Sequence, residues 1–136
     1  MKMMTAFLSS MLFLSPVFAH EGHDHDAPAM VQAPRGGMIK SVEDAHIEVI
    51  LKKNDLKIYV YDKDLKIKDP KTVNLKAQTQ LPRAKAAQNL PLIAKEDRFE
   101  ASFDAKGAHR YSLVLTYKHE GEDHADKLTF NLEPKK

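Results

Sequence analysis

Ala45-His46-Ile47-Glu48-Val49-Ile50-Leu51-Lys52-Lys53-Asn54-Asp55-Leu56-Lys57-Ile58-Tyr59-Val60-Tyr61-Asp62 is written largely in a period of two. Ile47, Val49 and Leu51 alternate with His46, Glu48 and Lys52; Ile50 is the one apolar member of the outer set. After the break, Leu56, Ile58 and Val60 alternate with Lys57, Tyr59 and Tyr61. Successive side chains of a strand point to opposite faces, so this is the pattern of two half-buried strands. Asn and Asp tolerate left-handed backbone angles, so Lys53-Asn54-Asp55 is a tight-turn signal. With Asn54-Asp55 as the turn, Leu51 faces Ile58 and Val49 faces Val60 on one side. On the other side Glu48 faces Tyr61 and His46 faces Lys63.

The same period continues outward from this hairpin. Further strands are expected at Thr72–Gln80, around Leu90–Ala94, at Arg98–Phe103, at Tyr111–Lys118 and at Lys127–Leu132. Asp104–Ala108 contains Gly107 and reads as a turn, and Pro82–Asn89 reads as loop or edge because its helix formers make too short a run to stand alone. Short strands with turn signals every 8–12 residues define an antiparallel sandwich or barrel. The fold class is therefore all-β, an immunoglobulin-like antiparallel β-sandwich of about seven strands over residues 36–136.

Residues 1–19 have a different character. Lys2 precedes an apolar stretch from Ala6 to Leu14, and Val17 and Ala19 supply the small residues of an export cleavage site. The stretch is short of the roughly 20 apolar residues that cross a bilayer. It reads as a signal peptide cut after Ala19, which places the mature chain in a bacterial periplasm with no membrane insertion. Residues 20–35 then read as a disordered His/Asp-rich tail, too polar and Pro-punctuated to repay the entropy of ordering.

Composition removes several classes of function. The 136 residues carry no Cys, which excludes disulfides, thiolate metal sites and a Cys nucleophile. A net charge of +2 offers no electrostatic case for a nucleic-acid partner. Gly-rich phosphate loops, a helical H-E-x-x-H and a Gly-x-Ser-x-Gly elbow are missing from the sequence, and its paired carboxylates fall in turns. The chain is not expected to be an enzyme.

The histidines are what remain. His20, His23 and His25 form H-E-G-H-D-H directly after the expected cleavage point. Imidazole suits zinc and copper, and a new N-terminus at His20 lets its α-amine and ring chelate one ion together. A near copy, His119-Glu120-Gly121-Glu122-Asp123-His124, lies between the last two strands. Pairing Leu113 with Leu132, Leu115 with Phe130 and Tyr117 with Leu128 puts His119 opposite Asp126, with His124 in the loop tip. His119, His124 and Asp126 can then converge on a metal ion. As a flexible coil the tail spans roughly 20 Å, so its histidines can complete that site if both leave from one end of the domain. His46 reads as a hydrogen-bonded surface imidazole and His109 as surface.

Ala33-Pro34-Arg35-Gly36-Gly37, His46-Ile47-Glu48 and the Val-Tyr-rich strand Leu56–Asp62 carry a resemblance. Together with the signal and the His/Asp-rich start, they resemble small exported proteins and N-terminal domains associated with periplasmic adaptor (membrane fusion) subunits of heavy-metal efflux pumps. Arg35 stands where that family has a His before the two glycines. The chain also lacks the coiled-coil hairpin and lipoyl-like parts of a full adaptor, so it cannot itself bridge a pump and a channel. The resemblance implies a periplasmic metal-binding accessory protein, a scavenger or chaperone for zinc or copper, partnered by a heavy-metal efflux pump component. The other reading is an interaction module that docks through a sheet edge or through the Ile50/Tyr59/Tyr61 face, with incidental histidines.

Overall fold

The structure is a computed structural model that describes residues 31–134. In chain order the strands are β1 (Met38–Ser41), β2 (His46–Lys52), β3 (Asp55–Tyr61), β4 (Asn74–Gln80) and β5 (Gln88–Leu90). Then come β6 (Ile93–Ala94), β7 (Phe99–Ser102), β8 (Tyr111–Lys118) and β9 (Ala125–Leu132). A 3-10 turn at Pro70–Thr72, capped by the Asp69 carboxylate accepting from the Lys71 N–H, leads into β4.

The strands form two antiparallel sheets, ordered β1-β2-β3-β7-β6 and β5-β4-β8-β9. Setting β1 aside, these are the A-B-E-D and C′-C-F-G orders of an immunoglobulin sandwich. Nine described strands replace the expected seven because β1 was not foreseen, and because Leu90–Ala94 divides. Pro91 removes a ladder donor, and the chain crosses there from one sheet to the other as β5 gives way to β6.

The inner faces carry the core. Ile47, Val49, Leu56 and Ile58 of one sheet and Leu113, Leu115 and Phe130 of the other are at most 1% exposed. Each such side chain contributes about 1.5–3 kcal/mol before entropy is counted. At one side of the sandwich Lys40 of β1 crosses to the other sheet, where its ammonium bonds the Thr129 carbonyl and lies 5.5 Å from the Phe130 ring centroid.

Both expected hairpin registers are corrected by two residues. In the first hairpin the turn is Lys53-Asn54, with Lys53 at φ 55, so that Ile47 pairs with Val60, Val49 with Ile58 and Leu51 with Leu56. The Asn54-Asp55 turn would have set Ile47 against Asp62 and left Leu56 against Lys53, making two apolar pairs on that face where the observed register makes three. In the second hairpin Tyr111 pairs with Leu132, Leu113 with Phe130, Leu115 with Leu128 and Tyr117 with Asp126. The expected register would have put Tyr111 opposite Pro134, which has no N–H to give. A slip of two leaves every side chain on its own face, so the face assignments are unchanged.

Candidate metal centre

Along β8 the inward positions Tyr111, Leu113, Leu115 and Tyr117 are all buried. One period further, just past the strand, the inward position is His119, which is 6% exposed. On β9 the inward series reaches Asp126, half-buried, and then His124, exposed, before the strand. The site therefore forms where the core runs out at one mouth of the sandwich. The loop is closed by the His119 N–H on the His124 carbonyl at 3.3 Å and the Glu122 N–H on the His119 carbonyl at 3.3 Å. Gly121 takes φ 75 in that turn, a backbone angle that an L side chain rarely adopts.

Three side chains meet there. His119 Nε2 lies 2.5 Å from Asp126 Oδ2, and His124 Nε2 lies 3.1 Å from Asp126 Oδ1. The two imidazoles stack with centroids 5.7 Å apart and an interplanar angle of 9°. One potential ligand atom from each of His119, His124 and Asp126 falls within 4.8 Å of the others, so the cluster can hold a metal ion. The edge of the His119 ring is packed on Tyr117, at 5.1 Å between centroids, and the Tyr117 hydroxyl accepts from Lys68 at 3.1 Å.

The other His119 nitrogen, Nδ1, lies 2.8 Å from Asp44 Oδ1 on the β1–β2 loop of the opposite sheet. This is an ion-pair distance without an in-line hydrogen bond, since Asp44 Oδ1 is buried and has no hydrogen-bond partner among the described residues. His119 is thus held between carboxylates from both sheets. The bond to Asp126, opposed by burial and reinforced by the charge of Asp44, keeps the His119 imidazolium above its ordinary range. The same bond holds the Asp126 carboxyl below its ordinary range, with His124 contributing.

Of the residues singled out in the sequence, His119, His124 and Asp126 come together, although the expected facing of His119 and Asp126 is corrected to a diagonal contact. His20, His23 and His25 lie outside the described residues. His46 is half-buried and shares a 2.6 Å hydrogen bond with Ser41 Oγ. His109 is exposed in the loop before β8. Asp44 was not anticipated: it lies far from the hairpin in sequence, and no local pattern announces it.

The second unanticipated cluster explains the Pro-x-Gly-Gly lead-in. Glu48, expected on the outer face, is indeed there but is 0% exposed. Its carboxylate accepts from the Gly37 N–H at 2.7 Å, the Arg35 N–H at 3.2 Å and the Tyr61 hydroxyl at 2.7 Å. The Arg35 guanidinium bonds the Tyr61 oxygen at 2.8 Å and lies 4.2 Å over the Tyr59 ring centroid. A Cβ on residue 37 would fall 2.5 Å from the Val49 carbonyl oxygen, so only glycine lets the segment lie this close. The Ile50/Tyr59/Tyr61 face is consequently not a free docking surface: Tyr59 and Tyr61 are 6% and 1% exposed. The lead-in therefore meets β2 at the level of Glu48, and whether the tail histidines reach His119 lies outside the described residues.

No family model matches the chain, and comparison with curated proteins and with solved structures finds no significant match to either.

Proposed function

We propose that this is an exported divalent-metal-binding accessory protein, a periplasmic scavenger or chaperone linked to heavy-metal efflux. His119 Nε2, His124 Nε2 and an Asp126 oxygen serve as ligands, and the Asp44 carboxylate stands behind the His119 ring as its charge partner. The observation that carries the reading is the convergence of those three side chains within 4.8 Å, with a carboxylate behind His119 Nδ1 at 2.8 Å. A metal-bound histidine characteristically turns its second nitrogen to a carboxylate, which fixes the tautomer and raises ligand basicity. Two imidazoles and a carboxylate suit zinc or copper(II), and three protein ligands leave a position for water or for a ligand from elsewhere. The lack of Cys argues against a thiolate-selected ion.

In this reading the tail histidines His20, His23 and His25 capture ion weakly, and the domain holds it more tightly. Calorimetry with zinc and with copper on the protein and on a His119→Ala/His124→Ala variant tests it. The variant is expected to lose the tightest step. Identical isotherms for the two proteins would refute the site.

A further inference from the structure

At the far end of β8 from His119, about 27 Å away along an eight-residue strand, the β4–β5 and β7–β8 loops frame an open, shallow groove of about 500 Å³. Its apolar part is Leu81, Pro82, Ala105 and Ala108, and its ionisable lining residues are all basic or histidine: Arg83, Lys106, His109 and Arg110. No acidic residue among the described residues lines it. The walls are preformed. The Ala84 N–H bonds the Leu81 carbonyl at 3.0 Å, and the Gln80 amide bonds the Ala84 carbonyl at 3.2 Å. On the facing loop the Asp104 carboxylate accepts from the Lys106 N–H at 2.8 Å, and the Ala108 N–H bonds the Ala105 carbonyl at 3.0 Å. Ala105 is 5% exposed and anchors that loop in the core.

We infer that this groove docks an acidic, extended peptide segment of a partner protein, with one apolar side chain seated on Leu81 and Ala108 and carboxylates on Arg83 and Arg110. Charge complementarity selects the occupant: arginine forks match carboxylates bidentately, and an apolar floor rewards a buried side chain that a purely ionic contact would not use. The protein's own lead-in is pinned elsewhere, on the outer face of the β1–β2–β3 side, by Arg35 on Glu48 and Tyr61. Docking at this end leaves the His119 mouth open, and the inference does not depend on a metal being bound there.

The test is amide chemical-shift mapping on the folded protein, titrated with a synthetic decapeptide of Asp and Glu around one central Leu. Saturable shifts confined to the two loops, at residues 81–84 and 105–110, are expected. They should weaken about tenfold in Arg83→Gln/Arg110→Gln, weaken with added salt, and weaken when the Leu of the peptide is replaced by Gly. No shift, or shifts unchanged in the double variant, overturns the proposal. So does a response to phosphatidylglycerol vesicles without one to the peptide, which would make the surface a membrane contact. If Glu21→Gln/Asp24→Asn/Asp26→Asn moves the same amides in the peptide-free protein, the groove already holds the chain's own tail and the partner proposal fails.

Discussion

His119 and Asp126 meet on a diagonal. The Cα partner of Asp126 is Tyr117, yet the Asp126 carboxylate reaches past it to His119 Nε2 at 2.5 Å. Diagonal neighbours on one sheet face are within reach of long side chains, and here the reach leaves the other carboxylate oxygen for His124. One carboxylate therefore gathers both imidazoles, an arrangement that directly opposed partners would not give.

Removing the ring should be felt more than removing its charge partner. Asp44→Asn is expected to weaken the tightest zinc step about 10–100-fold, and His119→Ala/His124→Ala to abolish it while leaving a weaker step on the tail. Competition with a chromophoric chelator measures both. An Asp44→Asn protein with wild-type affinity would remove Asp44 from the site.

Metal affinity should climb with pH, because the ion must displace the proton on His119. Its imidazolium is held above the ordinary range by Asp126 first and Asp44 after, so the rise is centred above the usual histidine value of about 6.5. A midpoint at or below that value would contradict the geometry.

The metal-free protein should show a stability window from the same pair. A raised histidine stabilises fully below its unfolded value, about 6.5, and loses that contribution as pH rises through its folded value. The depressed Asp126 stabilises above its unfolded value, about 3.9, and loses that contribution as pH falls through its folded value. Urea unfolding with a chelator present should therefore find the pair's contribution greatest between about pH 4 and 6.5. Asp126→Asn should flatten that window. The same curve for both proteins would sink the prediction.

Tyr61→Phe should destabilise by about 1–3 kcal/mol, because it strips a hydrogen bond from a buried carboxylate. Gly37→Ala should also destabilise, since its Cβ would meet backbone, at 2.5 Å, and not a side chain that can swing away. Denaturant midpoints read both, and an unshifted midpoint for Tyr61→Phe would mean the Glu48 cluster is not coupled to folding.

Tyr111 and Tyr61 should ionise late. Burial pushes Tyr111 up to about 12, and burial with the bond to Glu48 pushes Tyr61 up to about 12. Tyrosinate absorbance should show a late step that shrinks in Tyr111→Phe and in Tyr61→Phe. A titration complete near 10 would refute it.

The faces of the strands were legible because apolar residues alternate, and β8 was found with its true ends, Tyr111–Lys118. Registers were not legible from alternation alone, since a slip of two preserves it; what decides is the partner of the last residue, Asp62 or Val60 for Ile47, Pro134 or Leu132 for Tyr111. The convergence of His119, His124 and Asp126 survived the slip only because Asp126 reaches diagonally. Asp44 was invisible because a contact between sheets leaves no spacing to read. Glu48 was placed on its true face, but its burial was not legible, because a charged residue on an outer face is ordinarily solvated and the cover supplied by Arg35 and Gly37 is a tertiary event.

Lys40 has one more consequence. By capping the Thr129 carbonyl, it blocks part of the outermost backbone of the long strand β9, the stretch another copy of the chain would otherwise recruit as a template. The remaining outermost strands are short: four residues in β1, three in β5 and two in β6. Short margins and an inward-leaning lysine are how natural sheets resist growing sideways into fibrils, so replacing that one cation with an apolar residue would expose the molecule to runaway self-association before it changed anything at its core.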